Sequence, residues 1–315
     1  MTLRIGTRGS ALALWQAHHV EALINSQPGA PAVELVRIKT EGDVRTDVPL
    51  WQIGGRAFFT KEIDKALLNN EIDIAVHSLK DLSTVLDPGI ELAAALERED
   101  PRDAVLSRSG AGLMDLPKGA RVGTSSLRRR AFIARLRPDI ELLELRGNVP
   151  TRIERMKQGD YDAIILAAAG LLRLQLDQHI SELLSVESFP PAVSQGAIGV
   201  CMRTADTQAG RWLKALDNRA SRLATTAERA LLRRLEGGCQ VPLGAMATLV
   251  GDELRLHAAV CALDGTKILQ AKAQMPASQA SATSLGQRVA EELLSQGAAS
   301  LMANERTARS LATGG

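Results

Sequence analysis

Aromatic residues make up 3% of the 315-residue chain, as three Trp, one Tyr and four Phe. So sparse a set speaks against a stacking platform for single-stranded nucleic acid and against an aromatic-rich protein interface. Cysteine is scarce as well. Cys201, Cys239 and Cys261 form no Cys-x-x-Cys pair, and no histidine lies at metal-ligand spacing. Neither a disulfide framework nor a metal site is indicated, and a reducing compartment is expected. No apolar run approaches the roughly 18 residues that would mark a membrane span. Met1 to Gly6 runs into a strand-like pattern with neither a charged n-region nor an apolar h-region, so a cytoplasmic location is expected. One-sided charge is missing too: 38 basic against 36 acidic residues leave a net +2, so any basic face must be local. What remains is an ordinary globular composition, 45% hydrophobic and 23% charged, on a chain long enough for two or three domains.

A repeat runs through the first two-thirds. Leu3-Arg4-Ile5-Gly6-Thr7-Arg8-Gly9-Ser10 has a counterpart in Ala120-Arg121-Val122-Gly123-Thr124-Ser125-Ser126, each a short strand, Gly-Thr, and a Ser-containing turn that opens a helix. The alternating strand Val33 to Ile38 matches Ile140 to Leu145. The helix from Lys61 that leads into Ile72 to Val76 matches Arg152 to Lys157, which leads into Tyr161 to Leu166. Three correspondences in the same order predict two α/β halves facing one another across a cleft, with ligands at strand C-termini and helix N-termini. Pro101 and Pro190-Pro191 with Gly196 mark the junctions, and Gly196 to Leu216 is read as returning to the first half. From Asn218 onward the pattern changes. A helix to about Leu235, strands at Ala245 to Val250, Glu253 to Ala262 and Ile268 to Ala273, and a helix at Ser284 to Gln296 predict a small α+β domain.

Arg8, Lys80, Arg128, Arg129, Arg130, Arg146, Arg152, Arg155 and Arg173 fall on or just after the strand ends that should line the cleft. Their guanidinium groups suit bidentate carboxylate or phosphate contacts, although any one of them reads equally as part of a solvated helix face. Asp81 follows the buried strand Ile72 to Val76 and stands beside Lys80. A carboxylate among so many cations stays ionised, which suits stabilising a positive intermediate; the alternative is a cap for the next segment. His77 reads as a packed polar residue. Cys239 lies in Glu236-Gly237-Gly238-Cys239-Gln240, a glycine-hinged loop past a helix C-terminus. A lone cysteine there is commonly a half-buried thiol, and activation as a nucleophile would need nearby cations, since the helix end itself raises a thiol pKa.

Taken together, Gly6-Thr7-Arg8 with Ser10, His77-Ser78-Leu79-Lys80-Asp81, Arg98-Glu99-Asp100-Pro101-Arg102-Asp103, Gly123-Thr124-Ser125-Ser126-Leu127-Arg128-Arg129, Leu145-Arg146-Gly147-Asn148 and Glu236-Gly237-Gly238-Cys239 resemble the porphobilinogen deaminase (hydroxymethylbilane synthase) family from Gly6 to about Gln296. The resemblance implies an α/β fold of three domains: 1–98 plus 196–216 and 99–195, similar to type II periplasmic binding proteins around a cleft, and 217–315, a small α+β domain carrying the cofactor cysteine. It implies a dipyrromethane cofactor joined to Cys239 by a thioether, and stepwise deamination and head-to-tail joining of four porphobilinogen units into hydroxymethylbilane, released by water. By the same resemblance Asp81 contacts pyrrole nitrogens and stabilises the cationic azafulvene formed as ammonia leaves. Ser78, Lys80, Asp81, Thr124, Ser126, Arg128, Arg129 and Arg152 would hold the cofactor. Arg8, Ser10, Phe59, Arg146, Arg152, Arg173 and Gln195 would meet the substrate and growing chain. Porphobilinogen is then the partner, with no nucleic acid, membrane or metal, and a monomer is expected.

Some positions depart from the family pattern. Ser83 stands where proline is usual, Arg56-Ala57 where Lys-Gly is usual, and Ser194 and Cys201 where Gly and Glu are usual. They bear on how the loop 42–60 closes and how stiff the Asp81 loop is. Two other classes share part of the pattern. A solute-binding protein would share the cleft without needing the Cys239 loop, and a nucleic-acid binder would place its arginines along an outer stripe.

Overall fold

The computed structural model describes residues 2–40, 60–235 and 241–303. Cys239, Phe59, and Arg56-Ala57 with most of the loop 42–60 lie outside the described residues.

The first half is built from strands β1 (Thr2–Thr7), β2 (Ala32–Arg37), β3 (Ile74–Ser78) and β4 (Ile90–Ala95), with helices α1 (Ala11–Asn25) and α2 (Lys61–Leu68). The second half is built from β5 (Asp103–Ser107), β6 (Arg121–Gly123), β7 (Glu141–Leu143), β8 (Ala163–Ala167) and β9 (Glu182–Leu183), with α3 (Leu127–Leu136), α4 (Val149–Lys157) and α5 (Ala168–Arg173). β10 (Ile198–Arg203) follows. The sheets are ordered β2-β1-β3-β10-β4 and β7-β6-β8-β5-β9. Each therefore holds a parallel β-α-β-α-β ladder, as the repeat predicts, with apolar residues on both faces because helices cover both. Antiparallel strands complete both sheets. β10, encoded after the second half, returns to the first sheet antiparallel to β3, and β5, where the chain enters the second half, lies antiparallel to β8.

Two chain segments therefore cross side by side, tied by Leu96 N–H to Ile198 O at 3.0 Å and Glu99 N–H to Gly196 O at 3.1 Å. The approach demands glycine at 196. Its φ is +90°, and a Cβ there would lie 2.4 Å from the Glu99 carbonyl oxygen. Ser194 also adopts a left-handed φ, +63°, which accounts for glycine being the easier residue at that position; its N–H is held by Glu228 Oε2 at 2.6 Å.

After α6 (Thr207–Leu213), α7 (Arg219–Arg234) and α8 (Gln279–Ser295) cover one face of an antiparallel sheet, β11 (Leu243–Val250), β12 (Glu253–Cys261) and β13 (Ile268–Pro276), around a core that includes Leu223, Leu231, Leu256, Leu285 and Val289. Asn218 caps α7 as its sequence suggests, accepting from Ser221 N–H at 3.0 Å. α8 begins at Gln279 and not at Ser284, because Ser278 caps it through Ser281 N–H and the intervening Ala-Ser-Ala-Thr run hides its helical period. The sheets and the third unit meet at Glu228. This fully buried carboxylate of α7 accepts from Arg98 Nη1 at 2.6 Å, Ser194 N–H at 2.6 Å and Ala247 N–H at 2.8 Å. A buried charge so thoroughly partnered locks the crossing segments to α7.

Candidate active site

The turns at the strand ends form as the sequence predicts. Ser10 caps α1, accepting from Ala13 N–H at 3.3 Å, and Ser126 caps α3, accepting from Arg129 N–H at 3.4 Å. Both helices begin at the C-terminal ends of strands, so their N-termini and hydroxyls face the cleft. A cavity at the first of them is lined by Arg8, Ser10, Leu12, Ala13, Gln16, Thr60, Val76, His77, Ser78 and Asp81. Ser78 Oγ exchanges hydrogen bonds with the side-chain amide of Gln16, at 2.9 and 3.2 Å, and so fixes its orientation there. Asp81 ends a 3₁₀ turn, Leu79–Asp81, and the next element is β4; no helix starts at Asp81 for it to cap. The capping alternative therefore falls away.

Lys80, on the same turn, is half-buried. Burial, with Arg129 and Arg128 opposing its charge, pushes its ammonium down to about 8 despite Asp81 and Asp103. Its Nζ lies 3.4 Å from Gln195 Oε1. Gln195 in turn donates to Pro101 O at 2.8 Å and Asp103 Oδ1 at 3.0 Å. Asp103 is the buried anion of the region, 2.7 Å from both Arg128 Nη2 and Arg129 Nη2. Burial alone would raise its carboxyl, but the two guanidinium groups hold it down at about 2. Arg128 and Arg129 thus share a counter-ion of the protein's own.

From the second half, Arg152 donates to Gly147 O at 2.7 Å, and burial followed by Arg129 and Arg146 pushes it down to about 10. Its field also includes Asp81, so Lys80 and Asp81 of one half and Arg128, Arg129, Arg146 and Arg152 of the other converge. Thr124, buried at the end of β6, accepts from Ser126 N–H at 3.2 Å. Arg173 is buried at the crossing, donating to Gly196 O at 2.6 Å with its guanidinium over the Trp15 ring.

Cations outnumber anions in this cluster, and the buried Nε of Arg128 has no hydrogen-bond partner among the described residues. Desolvation first, and then neighbouring arginines, lower Lys80 and Arg152 against the opposing pull of Asp81. The cluster's donor set fits a ligand carrying several carboxylates, which a dipyrromethane with acetate and propionate side chains is.

Family comparison agrees with that chemistry. A family model described as porphobilinogen deaminase, dipyromethane cofactor binding domain, matches residues 3–211, and the porphobilinogen deaminase C-terminal domain model matches residues 222–295. A porphobilinogen deaminase of Pelobacter propionicus is 48% identical over 300 residues, 95% of this chain and 96% of that protein. One of Roseiflexus sp. strain RS-1 is 50% identical over 303 residues, 96% and 99%. The chain belongs to the porphobilinogen deaminase family. The activity that goes with this family is hydroxymethylbilane synthesis on a dipyrromethane cofactor, in tetrapyrrole biosynthesis. Among solved structures, the methionine-binding protein MetQ overlaps 68% of this chain and 89% of its own at a TM-score of 0.45 and 11% identity. A nutrient-binding protein from Burkholderia cenocepacia bound to methionine overlaps 67% and 89% at 0.44 and 15%.

Several residues of this cleft carry little local signal in the sequence. Asp103, between Arg128 and Arg129, and Gln16 and Thr60, on the cavity wall, are among them. His77 lines the cavity, where burial and then Arg8 push its imidazole down to about 4, so it is neutral at physiological pH. The signal for Gln16 was its place in the helix opened by Ser10, with its side chain on the buried face.

Proposed function

We propose that the residues converging on the cleft act as follows, with 1–98 plus 196–216 and 99–195 as its two walls and 217–315 as the carrier of Cys239. The observation that carries this reading is the meeting of one carboxylate-bearing turn, Lys80-Asp81, with arginines of the opposite half. A dipyrromethane held through Cys239 supplies the pyrrole terminus to which new units are added. Lys80, Thr124, Ser126, Arg128, Arg129 and Arg152 hold its carboxylates, while Ser78 supports the turn beside Asp81. Arg8 and Ser10, on the cavity wall, receive the carboxylates of incoming porphobilinogen. Arg146, Arg152 and Arg173 guide the lengthening chain, with Phe59 and Gln195 as wall residues. Asp81 accepts a hydrogen bond from the substrate pyrrole N–H and offsets the positive charge that develops as ammonia departs. Neutral His77 adds a polar edge without adding charge.

Intact mass measurement tests the attachment. Purified protein should show an excess matching two linked pyrroles, and Cys239→Ser should lack it. Native protein with no excess sinks the reading. Arg146→Leu and Arg152→Leu remove charge-assisted pairs of roughly 1.5–3 kcal/mol, so chain extension should stall while the mass excess survives. Full tetrapyrrole output from either variant excludes that arginine from guiding the chain.

A further inference from the structure

Past Asp81 the backbone runs without ladder partners before β4 begins. The 3₁₀ turn closes with Leu82 N–H to Leu79 O at 3.3 Å, and the next three carbonyls, of Leu82, Ser83 and Thr84, are all taken by one helix of the third unit. Arg229 Nη1 donates to Leu82 O at 3.0 Å, Arg229 Nη2 to Ser83 O, and Arg233 Nη2 to Thr84 O. Arg229 and Arg233 are four residues apart on α7 and so share a face. Arg222, seven residues before Arg229, donates to Leu92 O at 3.0 Å and Ala93 O at 2.8 Å, continuing the stripe. The same helix ends at Arg234, five residues before Cys239 in sequence.

We propose that Arg229 and Arg233 are positioning residues for Asp81: they clamp the carbonyls that follow it and so fix the carboxylate relative to the helix that leads into the cofactor loop. This rests on the role given to Asp81 above. Ser83 leaves its own φ unconstrained, and the planar fork of Arg229 across two successive carbonyls supplies the missing stiffness. The geometry also provides the test. Leu82 has φ −82° and ψ 131°, the extended region that a following proline requires, and among the described residues Ser83 N–H donates no hydrogen bond. Ser83→Pro should therefore stiffen the loop without the clamp.

Arg229→Leu and Arg233→Leu, purified with their cofactor and checked by intact mass, should lose kcat on the order of 10-fold while KM changes little, since a misplaced reacting group slows chemistry more than binding. Adding Ser83→Pro to either should recover most of the loss. Should a Leu variant fail to fold, Arg229→Lys keeps the charge but reaches only one carbonyl, and its kcat should fall and recover likewise. Full kcat in the doubly substituted Arg229→Leu/Arg233→Leu protein overturns the proposal, and so does a loss that Ser83→Pro leaves untouched, which would mark a plain packing role. An Asp81→Asn protein that turns over normally removes the reading beneath it. An inactive Asp81→Asn beside a fully active double variant overturns the clamp alone.

Discussion

Asp81→Asn should lose nearly all tetrapyrrole formation, while Asp81→Glu should retain a trace. The amide keeps the size and one acceptor oxygen but cannot offset a full positive charge in a partly dehydrated cleft, where such stabilisation is commonly worth on the order of 10²-fold in rate. The surroundings sharpen this expectation. Cations from both halves crowd the site, so removing the carboxylate raises the cost of developing further positive charge. Glu displaces the charge by one methylene but preserves it. Rates for both variants, with cofactor loading checked by mass, decide the matter, and near-normal turnover by the Asn protein would rule out a charge-based role.

The second large effect belongs to Asp103. Asp103→Asn should cost about 3–5 kcal/mol of stability, because it leaves Arg128 and Arg129 buried without their shared anion. The pH dependence has a definite sign. The folded carboxyl is held at about 2, below its ordinary 3.8, so its contribution is complete above the ordinary value and is lost as pH falls toward about 2. Denaturant unfolding of both proteins should show a gap that is steady near neutrality and narrows below about pH 4. A gap absent at neutral pH would mean that Asp103 does not hold the arginines in place.

The two predictions differ in how far the sequence could have led to them. Asp81, the capping serines and the paired halves are written in short local patterns: strand, Gly-Thr, hydroxyl, helix. Propensity and capping act over a few residues, so such patterns survive into the structure almost unchanged. Asp103 and Glu228 depend on distance along the chain. Asp103 is bonded by Arg129, 26 residues on, and by Gln195, 92 residues on, while Arg98 reaches Glu228 130 residues away. In sequence each resembles any solvated acid. Arg173 makes the same point from the other side, since its position after β8 suggested the cleft and nothing local announces its bond to the Gly196 carbonyl. The start of α8 is hidden for a different reason, because a serine cap opens a run too weakly apolar to show its period.

The returning strand β10 imposes an order on biosynthesis. Among the described residues β4 pairs only with β10, and β10 leaves the ribosome roughly a hundred residues later, so the first sheet stays open at that edge during synthesis. The second sheet draws all five of its strands from Asp103 to Leu183 and can close as soon as that stretch emerges. The later-encoded half thus becomes the template on which the earlier one is finished, and the nascent chain carries an unpaired β4 edge through that interval, the stage at which strand-to-strand aggregation is most easily seeded.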